Sequence, residues 1–318
     1  MEKFYLLIIC IISSISGQAQ FKKDFAFGNR KYSVQYFDSN IIRITHYYAA
    51  ETKRENISDA VILKPLAKAS KYQAALVEDA LVIPFRNGEI VINSDSVKRL
   101  NFRLRNNEKI FGGGERALPL NRRGYRLTLY NNPWYGYSEG ADNLNYSVPF
   151  ITSSLGYGLF FDNPSKGYVD IGKTKEDVLE YSTLSGEVVV YIIFGDYKTI
   201  LQSYHKLTGK QPLPPLWALG NLMSRFGYTS EAQVKSIYQK MKEEGVPVDA
   251  VIFDLFWFGD SIKGTMGNLE WVNRNAWPDP RKMIAGFKKE DVQTILVTEP
   301  FFVETAKNYT ASKPYLAV

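Results

Sequence analysis

Cysteine and histidine are nearly absent from this 318-residue chain, which has one Cys, Cys10, and two His, His46 and His205. A single cysteine allows no disulfide framework, and its removal with a leader would also leave no thiolate metal site and no thiol nucleophile. Neither histidine has a partner at ligand spacing or stands near a nucleophile signature, which excludes zinc chemistry and a Ser-His-Asp relay. No cofactor or metal is expected, and any chemistry has to run on carboxylates. The net charge of +6 is spread thinly, with no block of one sign. That excludes a nucleic-acid or membrane-surface patch. No apolar run reaches the roughly 20 residues of a spanning helix. The longest near the N-terminus, residues 4–12, follows Lys3 and precedes the small residues of Gly17-Gln18-Ala19. This is the pattern of a signal peptide over residues 1–19 and predicts an exported protein, periplasmic or secreted. Ile9 is too bulky for a lipoprotein site at Cys10, and cleavage after Ala19 would leave a cysteine-free domain stabilised by core packing alone.

What the chain does have is a globular composition, 45% hydrophobic and 23% charged, with many rings: 21 Tyr, 19 Phe and 5 Trp. Most rings belong in a core, although an excess also suits sugars, whose apolar C–H faces pack on them. Residues 20–212 read as a β-sandwich domain. Phe102 and Leu104 alternate with Arg103 and Arg105, and Ile42 and Ile44 alternate with Arg43 and Thr45, which is the period of a half-buried strand. Residues 81–85 and 89–93 flank Asn87-Gly88, a hairpin signal. Residues 157–161 and 188–194 are further strands, and His205 lies in a helix-like stretch. Gly112-Gly113-Gly114 lacks the Lys-Ser/Thr of a phosphate loop and reads as a turn or a close backbone approach.

The pattern changes at Leu213-Pro214-Pro215, and residues 213–318 read as strands alternating with helices. Strands are predicted over 217–223, 248–257 and 292–297. Helices are predicted from the Ser230 N-cap to Gly245 and over 282–289, and residues 308–314 look turn-like. Apolar strands joined by helices indicate a parallel sheet covered on both faces. Three strands fall short of a closed barrel, which takes roughly 250 residues and eight units. In such folds ligands meet the C-terminal ends of the strands. There the sequence places Arg225-Phe226, Asp254 with Phe256-Trp257, and Glu299 with Phe301-Phe302. A cation, two carboxylates and several rings are the lining a sugar pocket needs. Each has a structural alternative: Arg225 paired with a carboxylate below the site, Phe226 and Phe302 in the core, Glu299 capping a helix. Asp254 is the strongest candidate, because an acid inside Val-Ile-Phe-Asp-Leu-Phe-Trp is costly to bury without a purpose. Trp134, in the aromatic loop 134–137, is a further candidate.

These motifs carry a resemblance. Leu213-Pro214-Pro215-Leu216-Trp217-Ala218-Leu219-Gly220, followed by Ser224-Arg225-Phe226-Gly227-Tyr228, resembles the opening of the barrel in glycoside hydrolase family 31. Pro149-Phe150, Tyr157-Gly158-Leu159-Phe160-Phe161-Asp162-Asn163 and Ser185-Gly186-Glu187 are similar to that family's N-terminal sandwich. Trp277-Pro278-Asp279-Pro280 and Glu299-Pro300-Phe301 fit as well. Asp254-Leu255-Phe256-Trp257-Phe258-Gly259, with Gly264-Thr265-Met266-Gly267-Asn268-Leu269, is similar to a subgroup that includes oligosaccharide 4-α-glucosyltransferases. The resemblance implies a galactose-mutarotase-like sandwich followed by the first three βα units of a (β/α)8 barrel. It also implies a retaining enzyme acting on α-glucosidic linkages of an oligosaccharide or glucan, by hydrolysis or 4-α-glucosyl transfer. α-Xylosidase of the same family and a non-catalytic glucan-binding protein are the alternatives. Asp254 matches the family's substrate-binding acid on the second strand, and Phe226 and Phe302 match positions that wall the sugar subsite. Nothing here matches the family's Trp-x-Asp-Met-Asn-Glu nucleophile motif, so no residue is assigned a catalytic role. Nucleophile and acid/base are expected beyond residue 318, leaving an inactive N-terminal fragment. The chain departs from the family pattern twice. Pro133 stands where Trp-Asn-x-Asp has its acid, and Phe256 replaces the second acid of Asp-x-Asp. Both changes leave a more apolar rim, compatible with a long glucan lying on rings.

Overall fold

The computed structural model describes residues 21–48, 58–132, 136–260, 262–299 and 301–315. The signal-peptide segment and Trp134 lie outside the described residues. The chain divides into two units, the first ending at Lys210 and the second beginning at Gln211.

The first unit is built from β1 (Lys22–Phe27), β2 (Arg30–Asp38), β3 (Ile41–Tyr48), β4 (Ala75–Val77), β5 (Ala80–Phe85), β6 (Gly88–Asn93), β7 (Arg99–Arg103), β8 (Ile110–Gly112), β9 (Tyr125–Leu129), β10 (Phe150–Ser153), β11 (Tyr157–Phe161), β12 (Gly167–Ile171), β13 (Val178–Thr183), β14 (Val188–Phe194) and helix α1 (Tyr197–Thr208). They form two antiparallel seven-stranded sheets, ordered β1-β2-β3-β14-β11-β10-β8 and β4-β5-β6-β7-β13-β12-β9. Side chains alternate between faces along a strand, so an unbroken apolar run such as β14 needs cover on both sides. Val188, Val190, Ile192 and Phe194 enter the core between the sheets. Val189, Tyr191 and Ile193 enter a second cluster with Ile200 and Leu207 of α1. The helix therefore covers the outer face of one sheet, and Asp196 caps it by accepting from the Thr199 amide at 2.8 Å.

The expected hairpin forms one residue earlier than its Asn-Gly signal implies. Phe85 pairs with Gly88, so Arg86 and Asn87 make the turn and Gly88, at φ 138°, opens β6. Gly112, Gly113 and Gly114 all have positive φ. A Cβ on Gly114 would stand 2.5 Å from the Val148 amide nitrogen, so the backbones approach too closely for any side chain. Gly113 turns its carbonyl to the Arg116 guanidinium at 2.9 Å, and Gly112 turns its carbonyl to Arg122 Nε at 3.2 Å. Carbonyls, not amides, face these charges, so the run cradles cations. Arg116 also donates to Thr128 O at 2.7 Å, and burial pushes its pKa down to about 10. Glu108, 2% exposed, accepts from Ser153 Oγ and Tyr157 OH, each at 2.5 Å, and from the Arg105 amide at 2.9 Å.

The second unit holds β15 (Leu222–Arg225), α2 (Glu231–Glu243), β16 (Ala250–Phe253), α3 (Ile262–Thr265), α4 (Pro280–Lys289), β17 (Gln293–Leu296) and α5 (Tyr309–Ser312). Its three strands are parallel, in the order β15-β16-β17. Ser230 caps α2 by accepting from the Gln233 amide at 3.2 Å. Several boundaries differ from those predicted. Leu216–Leu219 is a 3-10 turn, not the start of a strand, because Ala218 N and Gly220 N bond back to Pro215 O and Trp217 O. The second strand stops at Phe253, and Leu255–Phe258 winds into another 3-10 turn. Helix α4 starts at Pro280, whose missing N–H costs nothing in the first turn, under the Asp279 cap. The stretch expected to be turn-like contains α5. Among the described residues no helix is long and apolar enough to cross a membrane.

Candidate functional site

The C-terminal ends of the three parallel strands are aligned, with Arg225 opposite Phe253 and Phe253 opposite Leu296. The opposite edge is closed by Asp249, whose carboxylate accepts from the Asn221 amide at 2.8 Å. A Cβ on Gly220 would stand 2.1 Å from that carboxylate, which explains the glycine ending the Leu-Pro-Pro-Leu-Trp-Ala-Leu-Gly run. One edge is thus used for internal bonding, whereas the other leaves several polar side chains without partners among the described residues.

At the open edge Asp254 directly follows β16 and caps the next turn, one oxygen accepting from the Leu255 amide at 2.7 Å. It is half-buried, and its second oxygen has no hydrogen-bond partner among the described residues. Arg225, the last residue of β15, is exposed, and Glu299, beyond β17, is half-buried. Among the described residues neither side chain forms a hydrogen bond or an ion pair, so Arg225 is not tied to a carboxylate below the site. Glu299 caps none of the helices whose caps are described. Phe226 is 60% exposed, so it is not a core residue, and its ring lies 5.3 Å from that of Phe256. Where the family pattern has a second acid, this chain places an aromatic pair.

The two remaining described rings behave differently from each other. Phe302 is half-buried against Gly267, where an added Cβ would stand 2.8 Å from the Phe302 Cα and ring. Trp257 is 4% exposed, its indole N–H donating to Val297 O at 2.8 Å. It packs against Phe258 and Trp271 and offers no open face to a ligand, which corrects its place among the expected binding residues. The apolar environment behind the edge drew its large ring inward, with its one polar atom satisfied.

Two residues outside the expected set position the edge. Trp277 is fully buried, with its ring 5.5 Å from Phe253 and its N–H donating to Phe256 O at 3.0 Å. Asn268 donates to Phe258 O at 3.0 Å and accepts from the Lys307 amide at 2.7 Å, joining the segment after β16 to that after β17. An Asn-Leu step after glycine was the only local sign, and it reads as an ordinary turn. Among the described residues no group of His, Cys, Asp and Glu is gathered so as to hold a metal ion.

Two family models match the chain. Residues 31–170 match the glycosyl hydrolase 31 N-terminal galactose mutarotase-like domain, and residues 211–317 match the glycosyl hydrolases family 31 TIM-barrel domain. Alpha-glucosidase 2 of Bacillus thermoamyloliquefaciens is 30% identical over 198 residues, covering 61% of this chain and 24% of that protein. An alpha-xylosidase of Saccharolobus solfataricus is 27% identical over 310 residues, covering 86% of this chain and 41% of its own length. Among solved structures, a Flavobacterium johnsoniae GH31 dextranase complexed with glucose superposes with a TM-score of 0.78 at 25% identity, covering 93% of this chain and 40% of the dextranase. The chain therefore spans well under half the length of these relatives.

Proposed function

Because the chain belongs to glycoside hydrolase family 31, we propose that the open edge of its parallel sheet is part of the sugar-binding site of an enzyme that cleaves or transfers α-glucosidic linkages. The observation that carries this reading is the half-buried Asp254, with a free carboxylate oxygen, at the same strand ends as the ring pair of exposed Phe226 and half-buried Phe256. A carboxylate accepts from sugar hydroxyls, and a ring face packs on the pyranose. Arg225, Glu299 and Phe302 belong to the same surface in this reading.

Retaining chemistry needs two carboxyl groups about 5 Å apart, one attacking the anomeric carbon and one protonating the leaving oxygen. The proposal gives neither role to Asp254 or Glu299 and assigns both to residues outside these 318. The 318 residues alone are then inactive. The relatives support glucosides and xylosides as substrate classes. The aromatic pair in place of an acid favours a glucan chain lying across rings, with a sugar acceptor able to replace water. The charged start and apolar run of residues 3–12 support an exported enzyme, which N-terminal sequencing of the mature protein would test through a start at Gln20.

The main test is an assay of a polypeptide in which the reading frame continues past Val318 through a whole barrel, on maltooligosaccharides, isomaltooligosaccharides and α-xylosides. Release of α-anomeric products from a glucoside is expected. Glucose alone would indicate hydrolysis, and longer chains would indicate transfer. Turnover of xylosides only would replace the glucoside reading, and turnover of no α-glycoside would end it.

A further inference from the structure

The first unit contains a cavity of about 500 Å³ that the proposed active edge does not use. It opens where the β5–β6 turn, the β10–β11 turn and the start of α1 come together. Its floor is aromatic. Tyr72 stacks on Phe194 at 4.1 Å, and Phe85 lies 5.6 Å from Phe194. Tyr197 stands at the rim with 48% of its surface exposed. Arg86, Asn87 and Ser154 supply polar groups around it, and Arg86 has no hydrogen-bond or ion-pair partner among the described residues.

The rim is fixed before any ligand arrives. Asn87 Nδ2 donates to Leu155 O at 2.6 Å, Arg105 donates to Asn87 O at 3.0 Å, and Gly195 N donates to Gly156 O at 3.1 Å. A Cβ on Gly156 would stand 3.0 Å from the Gly195 carbonyl, so the two turns touch at backbone distance. A preformed pocket within the roughly 300–1,000 Å³ range, with an aromatic floor and polar groups around its rim, has the form of a small-molecule site, and rigidity removes the ordering cost of binding.

We propose that this cavity is a second carbohydrate site on the sandwich unit, binding a neutral oligosaccharide by stacking on Tyr197 and hydrogen bonding to Arg86, Asn87 and Ser154. The rim carries charges of both signs, Lys71 and Arg86 as well as Asp196, so an anion meets a carboxylate and a cation meets two like charges, whereas a neutral sugar meets neither penalty. Hydrogen bonds from the Thr199 hydroxyl and amide hold the Asp196 carboxyl below the usual carboxylate range, so it stays negative beside the start of α1. The choice of an α-glucan as the sugar rests on the proposed function, whereas the site itself does not. Its role would be to hold a long glucan on the enzyme while another part of the polymer is processed.

The test is calorimetric or NMR titration of the 318-residue chain with maltotetraose, comparing Tyr197→Ala, Arg86→Ala and Phe226→Ala. Both rim residues are exposed, and unfolding midpoints will confirm that the variants fold. Tyr197→Ala should weaken binding about tenfold, the upper range for one lost ring contact, and Arg86→Ala should also weaken it. Phe226→Ala should leave a binding event intact. The proposal is overturned by loss of all binding in Phe226→Ala with none lost in the rim variants, by glucuronate binding in place of maltotetraose, or by no detectable binding. Turnover assays of a longer chain read the active edge separately, so either idea can fail alone.

Discussion

The interior of the sandwich unit and the open edge of the parallel-sheet unit treat their charges in opposite ways. In the sandwich, buried ionic groups are closed into networks: Glu108 by two hydroxyls and an amide, Arg116 by carbonyls of the glycine run, Asp170 by Arg126, Lys173 and Thr174. At the open edge of the parallel sheet, Arg225 and Glu299 carry no such partners among the described residues, and Phe226 is left exposed. Satisfied buried polar groups make a rigid frame. Groups held in place but left without partners keep their binding capacity for a ligand. The first unit reads as a scaffold, and the open edge of the second as a surface with polar groups left over.

The largest effect should come from the centre of the smaller core. Trp277→Ala removes a fully buried ring and its bond to Phe256 O, which costs about 3–5 kcal/mol. Hydrogen exchange should show the amides of β16 losing protection while those of β14 keep theirs. Equal loss in both strands would break the contrast between the units.

Asp254→Asn probes the prepared edge. Asn caps a helical turn as well as Asp, so the unfolding midpoint should hold, while kcat/KM of an enzyme with a complete barrel should fall about 10–100-fold, the equivalent of roughly 1.5–3 kcal/mol for a charged hydrogen bond. Unchanged kinetics would make Asp254 a cap and nothing more.

Asp170 tests the satisfied side. Burial raises its carboxyl pKa, but hydrogen bonds from the Thr174 hydroxyl and amide, Arg126 and the Lys173 amide outweigh it and hold the pKa below its ordinary 3.8. The stability it adds is therefore complete above the ordinary value and is lost as pH falls through the folded value. Asp170→Asn should cost roughly 1.5–3 kcal/mol at neutral pH, with the difference from wild type shrinking in acid denaturation curves. Asp162 has the opposite sign: burial raises its carboxyl against the Ser58 hydroxyl bond, so its contribution is present at low pH and lost as pH rises through the folded value. A pH-independent Asp170→Asn effect would show that its bonds do not depend on charge.

The smallest effect should be that of Ser230→Ala, which removes the cap of α2 and should lower the stability of the second unit by about 1 kcal/mol in thermal unfolding.

Much of the frame could be read from residues alone. β11 and β14 start and end where their apolar runs do, because strands buried on both faces have no polar position to blur the boundary. The Ser230 cap of α2 was equally legible, since its signal is local. Residues 217–223 misled for the converse reason. Leu216 and Leu219 are apolar yet 85% and 72% exposed, and the 3-10 turn there answers to the preceding prolines. The open edge was legible as a set of residue types at strand ends. The inward turn of Trp257 and the joining role of Asn268 were not, since both depend on residues some 40 positions away.

By itself, the sequence determined the succession of an antiparallel sandwich and a parallel βα sheet, and the strand ends at which polar and aromatic residues collect. These follow from local periodicity, capping and composition. Only the tertiary structure decided which rings stay exposed and which fill the core, which charges are neutralised, and where three distant turns enclose a cavity. Those outcomes depend on contacts between segments far apart in the chain, where burial and hydrogen-bond satisfaction override what each segment prefers alone.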